Sequence, residues 1–189
     1  MINKWTSELE NAVKNLQQNY LTDNKLIINE DDLKFGIRHN LQIVAEENDM
    51  LIKPEVPWYD QNSGEKQVKF YFDLAILKKS IFNLEFRNAR LNNKGYYYDD
   101  ISLAIMLKFA KPNFKITEIG EDLDKLNLFC VQTSEDAEKQ KPFLIVGCTD
   151  QVLYEKVSEV LATELKRFNE EFIKRTGIII FSPLRIEIL

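Results

Sequence analysis

The chain has 189 residues, 44% hydrophobic and 11% aromatic, enough for one domain with a real core and tight for two. Its formal charge of -5 at pH 7 excludes a protein that coats nucleic acid through bulk positive charge, while a local basic patch stays open. The 2 cysteines, Cys130 and Cys148, lie far apart with no zinc-ligand spacing, so reduced thiols in a cytoplasmic protein are expected.

Residues 5–19 carry Trp5, Leu9, Val13 and Leu16 at helical spacing, which predicts an amphipathic helix lying as an N-terminal flap. Glu8, Glu10 and Lys14 interrupt that stretch, so neither a signal peptide nor a membrane span is expected there. A second helix is predicted from about 30 to 46. Asn29 can cap it, Glu30, Asp31 and Asp32 favour its positive end, and Leu33, Ile37, Leu41 and Val44 form its inner stripe. The period then changes, and residues 51–59, 67–77 and 80–89 read as three consecutive strands with turns at 63–66 and 78–80.

Residues 95–112 are apolar on most sides and predict a buried helix stopped by Pro112. A surface helix is expected over 116–129, with Ile116, Ile119, Leu123 and Leu126 inward, and PFLIVGC (142–148) reads as a buried strand. A long helix from Val152 through Phe172 and closing strands at 177–181 and 184–189 complete the chain. The order predicts a single α/β domain with a mixed sheet and helices on both faces: an N-terminal helical extension (1–26), a core (27–168) and a C-terminal strand extension (169–189).

Asp73 is the one charge on the strand face it would share with Tyr71, Ala75 and Leu77. A tight turn centred on Lys79 sets it across from Glu85, with Cβ atoms about 5 Å apart, and Arg87 points the same way as Glu85. Two carboxylates so placed repel unless something positive intervenes. Either Arg87 alone neutralises them, or the turn is longer and they are not opposed, or a divalent cation such as Mg²⁺ takes oxygens from both and delivers a bound water to a phosphodiester. Glu30, inward on the first turn of its helix, can reach the same place. His39 is the only histidine and lies outward, which leaves no Ser-His-Asp or Cys-His mechanism, and no P-loop or G-x-G-x-x-G occurs.

A helix opening with an inward acid, a strand with an Asp, a strand with E-x-K, then a helix and an apolar strand resembles the PD-(D/E)XK nuclease superfamily, of restriction-endonuclease-like αβββαβ fold. NEDDLKFGIRHNLQ looks like its first helix, FDLAI like its Asp strand, LEFRNA like its E-x-K strand and PFLIVGC like its fourth core strand. The resemblance implies Asp73 and Glu85 as ligands of Mg²⁺ or Mn²⁺ and Glu30 as an accessory acid. Arg87 stands where the family has Lys; it can hold a phosphate but cannot serve as a base. A rim of Arg38, Arg90, Lys94 and Tyr97 would meet nucleic acid, DNA rather than RNA. The alternative implied is an inactive nuclease-fold module for binding or assembly with a protein partner. No membrane partner is expected, and a homodimer is compatible with the sequence.

Overall fold

The computed structural model describes residues 2–23, 25–59, 68–79, 101–133 and 140–189. Six strands form one sheet: β1 (Met50–Tyr59), β2 (Val68–Lys78), β3 (Ile101–Ala110), β4 (Lys141–Cys148), β5 (Gly177–Phe181) and β6 (Ile186–Ile188), side by side in that order. β2 runs antiparallel to both β1 and β3, while β3, β4 and β5 run parallel to one another, and β6 returns antiparallel along β5.

Helices cover both faces. α1 (Ile2–Thr22) and α2 (Glu30–Glu47) lie on one; α3 (Thr117–Gln132), α4 (Gln151–Glu164) and the short α5 (Glu170–Arg175) lie on the other. α1 is no flap. Trp5, Leu9, Val13, Leu16 and Tyr20 are buried with Leu33, Ile37 and Leu41 of α2 and with Leu103, Ile105 and Leu107 of β3. The two helices approach so closely that a Cβ on Gly36 would stand 2.7 Å from a Leu16 methyl. α2 begins as its sequence signals: Asn29 Oδ1 accepts the Asp32 N–H at 2.9 Å, satisfying a first-turn donor.

The helix expected over 95–112 is overturned, because Ile101–Ala110 is the strand β3 at the centre of the sheet. Its side chains are buried alternately against α1–α2 and against α3–α4, so apolarity on all sides reflects two covered sheet faces. The predicted strand over 80–89 lies outside the described residues. Leu74–Leu77 of β2 are flanked by β1 on one side and by β3 on the other. The long helix expected to reach Phe172 ends at Glu164; after a 3-10 turn at Leu165–Arg167, Phe168 is extended and Asn169 caps α5 through the Phe172 N–H.

Candidate functional site

β2 pairs with β3 only from Leu74↔Ile105 to Leu77↔Ile101, whereas β3 continues beside β4 as far as Ala110↔Cys148. The two strands part at Asp73. There the Leu107 N–H, which a main-chain carbonyl would satisfy in a continued ladder, donates to Asp73 Oδ2 at 2.7 Å.

The alternation of faces breaks at the same level. Leu74 and Ile76 are buried towards α1–α2, but Phe72 is buried towards α3 and α4, as are Ala75 and Leu77. β1 changes sides too, with Ile52 in the α1–α2 core and Val56 and Trp58 in the other. Between them Glu55 takes a left-handed φ of 49°, a conformation that costs a residue other than glycine. The expected face shared by Tyr71, Asp73, Ala75 and Leu77 is therefore corrected: Tyr71 is exposed, Ala75 and Leu77 are core, and Asp73 sits half-buried at the crossing.

Charged side chains from four other elements gather here. Glu30, in the first turn of α2, has a carboxylate 36% exposed, and its Oε2 lies 3.7 Å from Lys108 Nζ of β3. Lys108, only 14% exposed, also reaches Asp122 Oδ2 of α3 at 3.0 Å. Asp122 is 1% exposed and holds Lys125 Nζ through Oδ1 at 2.6 Å. One turn beyond Glu30, Lys34 pairs with Glu55 across the twisted ribbon.

Burial pushes the Asp73 carboxyl above the usual range, and the Leu107 N–H and the Lys108 charge offset this only in part. Glu30 is raised for the same first reason, with Lys108 lowering it and Asp73 raising it again. For Lys108, burial favours the neutral amine, but the Asp122 and Glu30 charges outweigh it and hold the ammonium above its ordinary value. The site thus keeps the Lys108 cation beside Asp73 and Glu30, two carboxyls that burial makes reluctant to ionise.

Of the sequence candidates, Asp73 and Glu30 belong to one charge cluster, in which Lys108 acts on both and the Asp73 charge raises Glu30. Arg38 lies two turns along α2 from Glu30 and is exposed. Glu85, Arg87, Arg90, Lys94 and Tyr97 lie outside the described residues. Sequence reasoning missed Lys108 and Asp122. Lys108 is the one charge in ISLAIMLKFA, and reading that run as a helix hid its significance. Asp122 falls between Ile119 and Leu126 on the inner stripe of α3, where an acid needs a partner.

No three His, Cys, Asp or Glu side chains among the described residues group as a metal cage. Asp73 and Glu30 are the carboxylates at this opening that could contribute oxygens to a cation. No protein-family model matches the chain, no curated protein matches it, and no solved structure matches it. Among the described residues no helix is long and apolar enough to cross a membrane.

Proposed function

We propose that this chain is a nuclease-like protein of the PD-(D/E)XK type, which grips a nucleic-acid phosphate, DNA by preference, over the Glu30–Asp73–Lys108 opening and hydrolyses a phosphodiester there. The observation that carries this reading is the parting of β2 and β3 at Asp73, with Glu30 and Lys108 converging on it from α2 and β3. The order α2-β1-β2-β3-α3-β4 supports it, being the αβββαβ order of that superfamily. In this reading β3 takes the place of the E-x-K strand, with Met106-Leu107-Lys108 at its spacing: the lysine is present and a buried methionine stands in the carboxylate position.

Asp73 and Glu30 would hold Mg²⁺ or Mn²⁺, which supplies Lewis acidity and a water acidified enough to attack phosphorus. The Leu107 N–H fixes one oxygen of Asp73 and leaves the other for ligation. Lys108 neutralises charge on the phosphate. The test is calorimetric titration of Mn²⁺ and Mg²⁺ into the protein and into Asp73→Asn and Glu30→Gln, with cleavage assays on DNA and RNA alongside. Binding and cleavage lost in both variants support the reading; cleavage unaffected by Asp73→Asn would sink it.

A second reading has its own observation. Lys108 is already paired with Glu30 and with buried Asp122, so the cluster is neutralised from within, as in a nuclease-fold module that has given up hydrolysis. Phe35 and Ile43, 71% and 68% exposed on the outer face of α2, offer apolar contacts to a protein partner of such a module. Absence of both cation uptake and cleavage favours it.

A further inference from the structure

We infer that Asp122 is a positioning residue: it draws the Lys108 ammonium towards α3 and so leaves Glu30 and Asp73 open to a divalent cation. This rests on the cation reading above and adds a residue that acts through another. Lys108 ends a flexible four-carbon stem at the opening, with Glu30 at 3.7 Å and Asp122 at 3.0 Å. Its ammonium settles where the field is strongest. Glu30 is partly solvated, whereas Asp122 is withdrawn from water, where a charge acts through a lower dielectric and attracts more strongly.

Asp122 is also anchored from behind. Lys125 holds its Oδ1, and the neighbouring Ile119, Leu123 and Leu126 of α3 are in the core. Its Oδ2 lies 3.0 Å from Lys108 Nζ, closer than Glu30 Oε2 at 3.7 Å, so the ammonium is held on the α3 side of the opening. Without Asp122, the ammonium would have only Glu30 and Asp73 to neutralise, and would sit in the place a metal needs. An Asp122 that acts only through its own field on Glu30 and Asp73 would change cation affinity equally with and without Lys108.

The experiment is a double-mutant cycle read as the Mn²⁺ dissociation constant by calorimetry, on the full chain and on Asp122→Asn, Lys108→Met and the pair combined. Asp122→Asn should weaken Mn²⁺ by about tenfold, within the range of couplings between contacting charges. In the Lys108→Met background the same substitution should weaken Mn²⁺ distinctly less, because the ammonium it restrains is gone and only the direct field of Asp122 on Glu30 and Asp73 is lost. Equal weakening in both backgrounds, or none in either, overturns the inference while the cation reading stands. If the unaltered protein takes up no Mn²⁺, the cation reading fails and the positioning role with it. Should Asp122→Asn not fold, Asp122→Glu replaces it in the cycle: the longer carboxylate displaces the ammonium, so a shift in affinity is expected only where Lys108 is present, and no shift there overturns the inference.

Discussion

The middle of the sheet and its β1–β2 end use the same kind of strand for opposite ends. Along β3–β4–β5 the register runs unbroken from Leu103↔Lys141 to Gly147↔Phe181, and nearly every side chain is buried apolar. At the other end β2 leaves β3, β1 and β2 swap faces, Glu55 is forced to a positive φ, and Asp73, Glu30, Lys34, Lys108 and Asp122 collect around the break. Strain and buried charge are concentrated in one place. Packing elsewhere supplies the stability that tolerates them.

The comparison breaks most visibly in the middle. Phe143 of β4 lies over Gly177 of β5, where a Cβ would stand 2.1 Å from its ring. Phe143→Ala should cost about 4 kcal/mol, which lowers Tm by roughly 10 °C in a domain of this size. Adding Gly177→Ala should return part of that loss, since the new methyl enters the space the ring has left. A Phe143→Ala protein that melts with the unaltered one would show that the middle is not what holds the fold.

How much of this was legible in the sequence follows the same division. The amphipathic helices declared themselves, because one wet face gives Leu33, Ile37 and Leu41 a period, and Asn29 marked its cap. β3 did not, because burial on two faces erases the period of two, and a long apolar run then looks like a buried helix. Reading that run as a helix hides Lys108, the one charge in it. Asp73 and Glu30 were legible as charges out of place. The crossing that joins them was not, because alternation assumes a flat ladder, and here β1 and β2 change faces without changing register.

At the charged end, removing a cation should hurt more than removing an anion. Lys108→Met leaves buried Asp122 with Lys125 alone and Glu30 with only the Lys34 charge, and should cost about 2 kcal/mol, or about 6 °C in Tm. Asp73→Asn goes the other way. The amide oxygen still accepts the Leu107 N–H, and the buried negative charge is gone. Because Asp73 and Glu30 both have raised folded pKa values, their contribution to stability is fully present below the ordinary carboxylate range and is lost as pH rises through the raised values. At pH 7 the charged pair is therefore a cost, and Asp73→Asn should raise Tm by about 2 °C. Differential scanning calorimetry at pH 5 and pH 7 should find the gain smaller at pH 5. A fall in Tm at pH 7 would mean that the carboxylate charge holds the opening together.

The smallest effect sharpens the comparison from the apolar side, where Tyr154, Glu187 and Arg185 form a small group of their own. Tyr154 of α4 is buried, donates its hydroxyl to Glu187 Oε2 of β6 at 2.8 Å, and lies under the Arg185 guanidinium. Burial, then the bond to Glu187, pushes its pKa up to about 12. A raised phenol stabilises the fold below its unfolded value near 10 and loses that contribution as pH rises through about 12. Tyr154→Phe should cost about 0.5 kcal/mol at pH 7, the net worth of one hydrogen bond. The difference between the two proteins should close above pH 10, and ultraviolet titration should lose one phenol of high pKa. Because the partner of Tyr154 is a single acid on the neighbouring strand, the substitution should leave Mn²⁺ affinity unchanged, whereas any change at Asp73, Lys108 or Asp122 should move it. If Tyr154→Phe weakens Mn²⁺, the two ends of the sheet are coupled, and the charge cluster extends through α4 rather than ending where β2 leaves β3.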